Sequence, residues 1–214
     1  MKDIAIFGAG GLGRETAVLI KMLNRNSEEW NLIGYFDDGK PKGMPISHFG
    51  KVLGGVNDIN SWKTELALVI AIGNPCSVKS VREQITNPNI YFPNLIAPTA
   101  TIADPMTFSM GEGNIIGSNT WFSCDVKIGN FNLFNGDVVM GHDVTIGSYN
   151  TIMPDIRISG EVGIGNCNVL GVGSIVLQQI KIGTGVHLGA GAVLMTKPKD
   201  NCTYIGNPAK IFKF

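Results

Sequence analysis

From Met110 to Leu194 an apolar residue stands at every sixth position: Met110, Ile116, Phe122, Ile128, Phe134, Met140, Ile146, Ile152, Ile158, Ile164, Leu170, Val176, Ile182, Leu188 and Leu194. A period of six fits neither an amphipathic helix nor a lone strand, whose side chains repeat every 3.6 and every two residues. It fits a parallel β-helix: short faces, three to a turn, each aiming one aliphatic side chain inward. A repeat of three such steps overlies it, with glycine at 111, 129, 147, 165 and 183 and asparagine at 114, 132, 150 and 168. Four positions after the aliphatic residues come small or β-branched ones, among them Val126, Val138, Val144 and Val162. The asparagines share that slot, which predicts an inward stack of side-chain amides bonded along the axis. The glycines that follow the aliphatic residues are expected to turn the corners at positive φ. Ile96 and Ile102 keep the spacing, and the repeat then slips by two residues to reach Met110. Residues 196–214 break the pattern, and Ile211-Phe212 is expected to close the last coil.

The first half reads differently. Residues 2–7 form an apolar run, followed by Gly8-Ala9-Gly10-Gly11-Leu12-Gly13 and by helical periodicity over 14–24. A strand is expected at 31–36, ending at Asp37-Asp38, then a loop over 41–46. A buried strand at 66–72 turns at Gly73-Asn74-Pro75 and leads to a helix over 78–85. Alternating strands and helices imply a small, mostly parallel α/β domain of Rossmann-like type. Its expected span is 1–92, with the β-helix and its tail over 93–214 and Pro93 and Pro98 at the joint.

Composition narrows the classes. With 17 basic and 17 acidic residues there is no electrostatic footprint for nucleic acid. No apolar run is long enough for a leader or a membrane span, so no membrane insertion is expected. Cys76, Cys124, Cys167 and Cys202 are scattered without metal-ligand spacing. The expectation is reduced thiols, no metal and a cytoplasmic protein.

The hexapeptide pattern, with the closing Gly206-Asn207-Pro208-Ala209-Lys210, resembles the hexapeptide acyltransferases. With the N-terminal half included, the chain is similar to a narrower group: bacterial sugar acetyltransferases of the sialic-acid O-acetyltransferase and nucleotide-4-amino-sugar N-acetyltransferase family. The resemblance implies a left-handed β-helix, a homotrimer with its active site between subunits, and acetyl-CoA as the acetyl donor. It also implies His142 as general base and Asp143 as the residue that orients it. Read without it, His142 beside Asp143 is a histidine and a carboxylate exposed on one ridge. Acyl transfer needs a base to take a proton from the acceptor and donors for the oxyanion. Gly160, one full repeat after His142, is the expected backbone donor. Asn135 matches a residue that helps hold the acceptor. Gly189 and Ala190 match a stretch that contacts pantetheine, and Asn207, Pro208 and Lys210 a tail motif near the CoA nucleotide. The chain departs from some members in carrying Thr151 where they have a second histidine, and Leu12 in the glycine-rich loop.

The glycine-rich loop has two readings. Between a strand and a helix, with Asp37-Asp38 ending the next strand, it satisfies a dinucleotide fingerprint and suggests NAD. In the family resembled, the half-domain holds a nucleotide-linked sugar: Gly8, Gly10 and Gly11 approach the phosphates, Asp37 and Asp38 lie near base or ribose, and Gly73 and Asn74 face the same crevice. The rivals to N-acetylation of a nucleotide amino sugar are O-acetylation of sialic acid or a similar hydroxyl, and a non-catalytic β-helix scaffold.

Overall fold

The computed structural model describes residues 1–25 and 27–213. Contacts divide the chain into two units, Met1–Leu95 and Ile96–Phe214.

The first unit runs β1 (Lys2–Phe7), α1 (Gly11–Asn24), β2 (Trp30–Phe36), β3 (Val52–Gly54), α2 (Val56–Asn60), β4 (Leu66–Ile70), α3 (Pro75–Gln84) and β5 (Ile90–Tyr91). The sheet order is β3-β2-β1-β4-β5, and every neighbouring pair is parallel. Ile4, Ala5 and Ile6 of β1 and Leu66, Ala67 and Leu68 of β4 are fully buried, as central parallel strands require. Two helices begin earlier than their apolar periodicity does. The first turn of α1 is built by glycine, with Gly10 as its N-cap in extended conformation. That of α3 is built by Pro75, with Asn74 Oδ1 accepting from Ser77 N at 3.0 Å. The strand expected over 66–72 ends at Ile70. β3 and α2 span too few residues to show a period.

The second unit is a parallel β-helix of three faces built from two-residue strands. The first face contains Ile115–Ile116, Leu133–Phe134 and Thr151–Ile152, the second Trp121–Phe122, Val139–Met140 and Arg157–Ile158, and the third Lys127–Ile128, Thr145–Ile146 and Gly163–Ile164. Strands pair in parallel at one full repeat, Trp121 with Val139 and Val139 with Arg157. The second residue of each strand points inward, and Ile116, Phe122, Phe134, Ile152, Leu170, Val176 and Leu188 are fully buried. Burial of each such side chain is worth about 1.5–3 kcal/mol. The slip of two residues before Met110 is taken up by a turn in which Asp104 accepts from Met106 N at 3.1 Å and Thr107 Oγ1 at 2.8 Å.

The asparagine column is a continuous ladder. Asn132, Asn150 and Asn168 each donate Nδ2–H to the Oδ1 of the asparagine one repeat earlier, at 3.0, 3.0 and 2.9 Å. Each also donates to a glycine carbonyl, at 2.9 to 3.0 Å. Asn168 Oδ1 then accepts from Val186 N at 2.7 Å, so the ladder ends without an orphaned acceptor where valine replaces asparagine.

The glycine column has a different cause from the one expected. Gly129, Gly147 and Gly165 are absent from the positive-φ residues. The left-handed corner falls two positions later, on Phe131, Asp143, Tyr149, Asp155, Glu161 and Cys167 among others. The glycines are required because neighbouring coils approach too closely for a side chain. A Cβ on Gly129 would lie 2.6 Å from the Gly147 carbonyl oxygen, and one on Gly147 would lie 2.5 Å from that of Gly165.

The tail closes the coil through residues other than Ile211-Phe212. Thr203–Ile205 continues the first face beside His187–Leu188, and buried Tyr204 joins the core. Lys210–Phe212 returns antiparallel along it, leaving Ile211 and Phe212 exposed.

Candidate active site

The coil has three edges, and the candidate residues of the second unit divide among them. His142, Asp143 and Gly160 lie on the edge between the second and third faces. Asp143 adopts φ +57°, a left-handed conformation that aspartate tolerates better than most residues. Its carboxylate meets the ring beside it, with His142 Nδ1 2.8 Å from Asp143 Oδ2. An ionised carboxylate only accepts, so Nδ1–H donates and the lone pair is left on Nε2. The ring and the carboxylate are each about half exposed, at 49% and 58%.

Gly160 lies against the imidazole. A Cβ there would stand 2.5 Å from His142 Nε2 and 2.7 Å from Cε1, so the missing side chain is what admits the ring. Glu161 N donates to the His142 carbonyl at 2.8 Å and Ser159 N to that of Val176 at 3.0 Å. The Gly160 N–H between them donates to no backbone carbonyl among the described residues. A basic nitrogen and an uncommitted backbone donor thus sit side by side on one edge. That pair is suited to taking a proton and stabilising an oxyanion.

Asn135, Gly189 and Ala190 lie on another edge, between the first and second faces, with Gly189 three repeats after Asn135. Within one chain the second face separates them from His142. Asn207 and Pro208 form the turn of the closing hairpin, which docks on the last strand of that face: Val193 N donates to Gly206 O at 3.0 Å and Ala209 N to Val193 O at 2.8 Å. Lys210 follows, exposed. Thr151 is on the first face and 3% exposed.

The second face itself was not singled out in the sequence. Its outward positions include Trp121 and Val139, and its two edges carry Val172 on one side and Leu177 and Met195 on the other, all exposed. The signal was present as apolar residues one position before the inward ones, but an outward apolar residue has no period of its own to distinguish it.

In the first unit the structure brings Gly8, Gly10, Gly11, Asp37, Asp38, Gly73 and Asn74 to the carboxyl ends of β1, β2 and β4. Strand order reverses at β1, so this is the switch-point crevice of an open parallel sheet. Gly8 has φ +105°, and a Cβ on it would meet the Ala71 carbonyl oxygen at 2.6 Å. Nothing lies within 4 Å of a Cβ on Gly10 or Gly11, which leaves the start of α1 open. Asp37 is committed to the chain itself: Oδ2 accepts from Ala9 N at 2.8 Å and Oδ1 from Gly39 N at 2.9 Å. Asp38 Oδ1 accepts from Val56 N at 2.9 Å, at the start of α2. The two carboxylates brace the loops around the crevice. Beneath α1, Tyr35 is fully buried with its hydroxyl unpartnered among the described residues, and burial pushes the phenol up to about 12 against the opposing charge of Arg14. Among the described residues no group of three or more His, Cys, Asp or Glu is placed to hold a metal ion, and no helix is long and apolar enough to cross a membrane.

The architecture is a Rossmann-like unit followed by a left-handed parallel β-helix, a build shared with solved hexapeptide-repeat sugar acetyltransferases. Residues 3–87 match the family model described as the PglD N-terminal domain. The whole chain is similar to the acetyltransferase domain of PglB from Neisseria gonorrhoeae FA1090, solved in complex with acetyl coenzyme A. Identity is 27%, coverage 99% of each chain and TM-score 0.88. It is similar also to PerB from Caulobacter crescentus, solved with CoA and GDP-perosamine. There identity is 25%, coverage 100% of this chain and 98% of that one, and TM-score 0.82. WeeI from Acinetobacter baumannii AYE shares the fold at 24% identity, covering 99% of this chain and 100% of that one, with TM-score 0.88. No curated protein matches the sequence.

Proposed function

We propose that the protein is an acetyl-CoA-dependent acetyltransferase that acetylates the amino group of a nucleotide-linked sugar. One observation carries the reading. A histidine with Nδ1 on a carboxylate and Nε2 beside a free backbone N–H stands in a chain that matches, over 99% of its length, an acetyltransferase domain that binds acetyl coenzyme A. His142 Nε2 takes the proton that the acceptor amine loses as it attacks the thioester carbonyl carbon. The Gly160 N–H faces the oxyanion of the tetrahedral intermediate. When the C–S bond breaks, the imidazolium returns its proton to the departing thiolate, giving an amide and free CoA. Asp143 holds the tautomer and the ring throughout.

The nucleotide part of the acceptor belongs at the glycine-rich crevice. Its phosphates lie over Gly8, Gly10 and Gly11 at the α1 N-terminus, with Gly73 and Asn74 on the facing loop. Asn135 contacts the acceptor. Gly189, Ala190, Asn207, Pro208 and Lys210 hold the CoA. His142 and the Gly189-Ala190 pair flank the exposed apolar second face from opposite edges. A ring of three copies that buries this face brings the His142 edge of one against the other edge of the next, a head-to-tail contact that closes on itself. The enzyme is therefore read as a homotrimer with its site between copies. The same reading places it in the cytoplasm, where thiols such as Cys76, Cys124 and Cys202 stay reduced.

The test is mass spectrometry of the product after incubating the protein and acetyl-CoA with nucleotide-4-amino-sugars, sialic acid and simple hexoses. An N-acetylated nucleotide sugar is expected. Acetylation of sialic acid alone would replace the acceptor proposed, and turnover of none with no acetyl-CoA binding would favour a scaffold.

A further inference from the structure

The edge that carries His142 contains a second carboxylate that the reaction described above does not use. Asp125, Asp143 and Glu161 occupy equivalent positions in three successive coils, each at a left-handed corner. Glu161 is the one held by side chains of the following coil. Gln178 Nε2 donates to its Oε1 at 2.9 Å and Gln179 Nε2 to its Oε2 at 3.0 Å. Its main chain is fixed too: Glu161 N donates to the His142 carbonyl at 2.8 Å, and Lys181 Nζ donates to the Glu161 carbonyl at 2.8 Å. Gly160, the residue before it, lies against the His142 ring. The bonds from Gln179 and then Gln178 hold the Glu161 carboxyl below the usual carboxylate range, with the His142 charge adding to the effect. Glutamate has no need of two amide donors on an exposed corner, where water would serve. Two glutamines from the next coil, each taking a separate oxygen, fix where the charge stands.

We propose that Glu161, clamped by Gln178 and Gln179, is a positioning residue for the His142 base: a fixed second negative charge, one coil beyond Asp143, that favours the imidazolium formed during proton transfer. This rests on the reading of His142 as the base. The titratable and charged groups about the ring come from three coils. Cys124 and Asp125 stand in the coil before, Asp143 in its own, and Glu161 in the coil after, with Lys181 bonded to the Glu161 main chain and not to its carboxylate. Glu161 and Asp143 are the two whose carboxylates are tied down by side-chain partners.

Glu161→Gln keeps the shape and removes the charge, while Glu161→Asp keeps the charge at a corner that aspartate accepts well. The imidazole carbons of the three histidines are followed by NMR against pH, and the His142 signal is assigned by its loss in His142→Gln. Glu161→Gln is expected to move the His142 midpoint down by roughly a few tenths of a pH unit, the scale set by removing one exposed negative charge from the neighbouring coil. The acid limb of kcat/KM for acetyl transfer should move with it, kcat should fall more than KM changes, and Glu161→Asp should restore most of both. The Gln178→Ala, Gln179→Ala double variant, which keeps the charge and frees it, should give a smaller shift in the same direction. A His142 midpoint unchanged in a folded Glu161→Gln protein overturns the proposal. The titration needs no substrate, so a shifted midpoint without acetyl transfer to any acceptor would sustain the role of Glu161 while removing the proposed reaction.

Discussion

Replacing Gly160 by alanine tests whether the imidazole reacts from the place the structure gives it. The backbone accepts the change, because Gly160 is not among the residues with positive φ. The ring does not, because the new Cβ would stand 2.5, 2.7 and 3.0 Å from Nε2, Cε1 and Cδ2 of His142. Ordinary contact begins near 3.4 Å, so the ring must retreat by about 1 Å. A reacting group misplaced by that much loses up to ~100-fold in rate. The expected fall in kcat/KM is about 10- to 100-fold, or ~1.4–2.7 kcal/mol of transition-state stabilisation. Stability should barely change, within about 0.5 kcal/mol, because the ring is half exposed and buries little. Steady-state thiol release from acetyl-CoA, read beside a thermal melt, separates the two effects. Parent-like kcat/KM in the alanine variant would refute the reasoning, since the ring would then work from somewhere other than its position over Gly160.

Three further outcomes are expected. Asn150→Ala removes four side-chain hydrogen bonds in the middle of the amide ladder and leaves the Gly165 carbonyl and the Asn168 donors short of partners. It should lower the unfolding free energy by about 3–5 kcal/mol in a denaturant titration. Tyr35→Phe deletes a buried hydroxyl with no partner among the described residues and should be neutral or stabilising by up to ~1 kcal/mol at pH 7. In the parent the Tyr35 phenol is raised from 10.0 to about 12. The unfolded chain therefore loses its proton first as pH rises, and stability is lost progressively between those two values, by up to about 2.7 kcal/mol. The phenylalanine variant should lack that slope in denaturation curves measured across the window. Finally, His142→Ala and Ala190→Trp, each expected to be inactive alone, should regain activity when refolded together. In the proposed trimer the two residues come from different copies at one site, so random mixing restores about a quarter of the sites.

The coil could be read from the sequence almost entire, because one inward side chain per strand leaves a period that nothing else produces. The asparagine ladder was legible for the same reason. The corners were less so. Glycine suggested positive φ, yet the left-handed positions belong to residues such as Phe131, Tyr149 and Cys167, which give no such signal. There the backbone ladder imposes the conformation, as when Asp143 N bonds the Cys124 carbonyl at 3.1 Å and Tyr149 N that of Asn130 at 2.9 Å. The starts of α1 and α3 were missed because a first helical turn of glycine or proline carries no apolar period. At the candidate site, His142 beside Asp143 was visible as a pair, whereas the contact of the ring with Gly160 depends on how coils stack. Asp37 could be placed at the crevice from its position after β2. That both its oxygens are taken by Ala9 and Gly39 could not be read from the pattern.

The central claim is that His142 is the base of an acetyl transfer from acetyl-CoA. The measurement that bears on it most directly is thiol release with a nucleotide-4-amino-sugar, the parent protein against His142→Ala. The account predicts release with such an acceptor and a loss in the variant of at least about 100-fold, the lower end expected for a general base. Release that persists in His142→Ala would contradict it, and the proton would have to leave by another route.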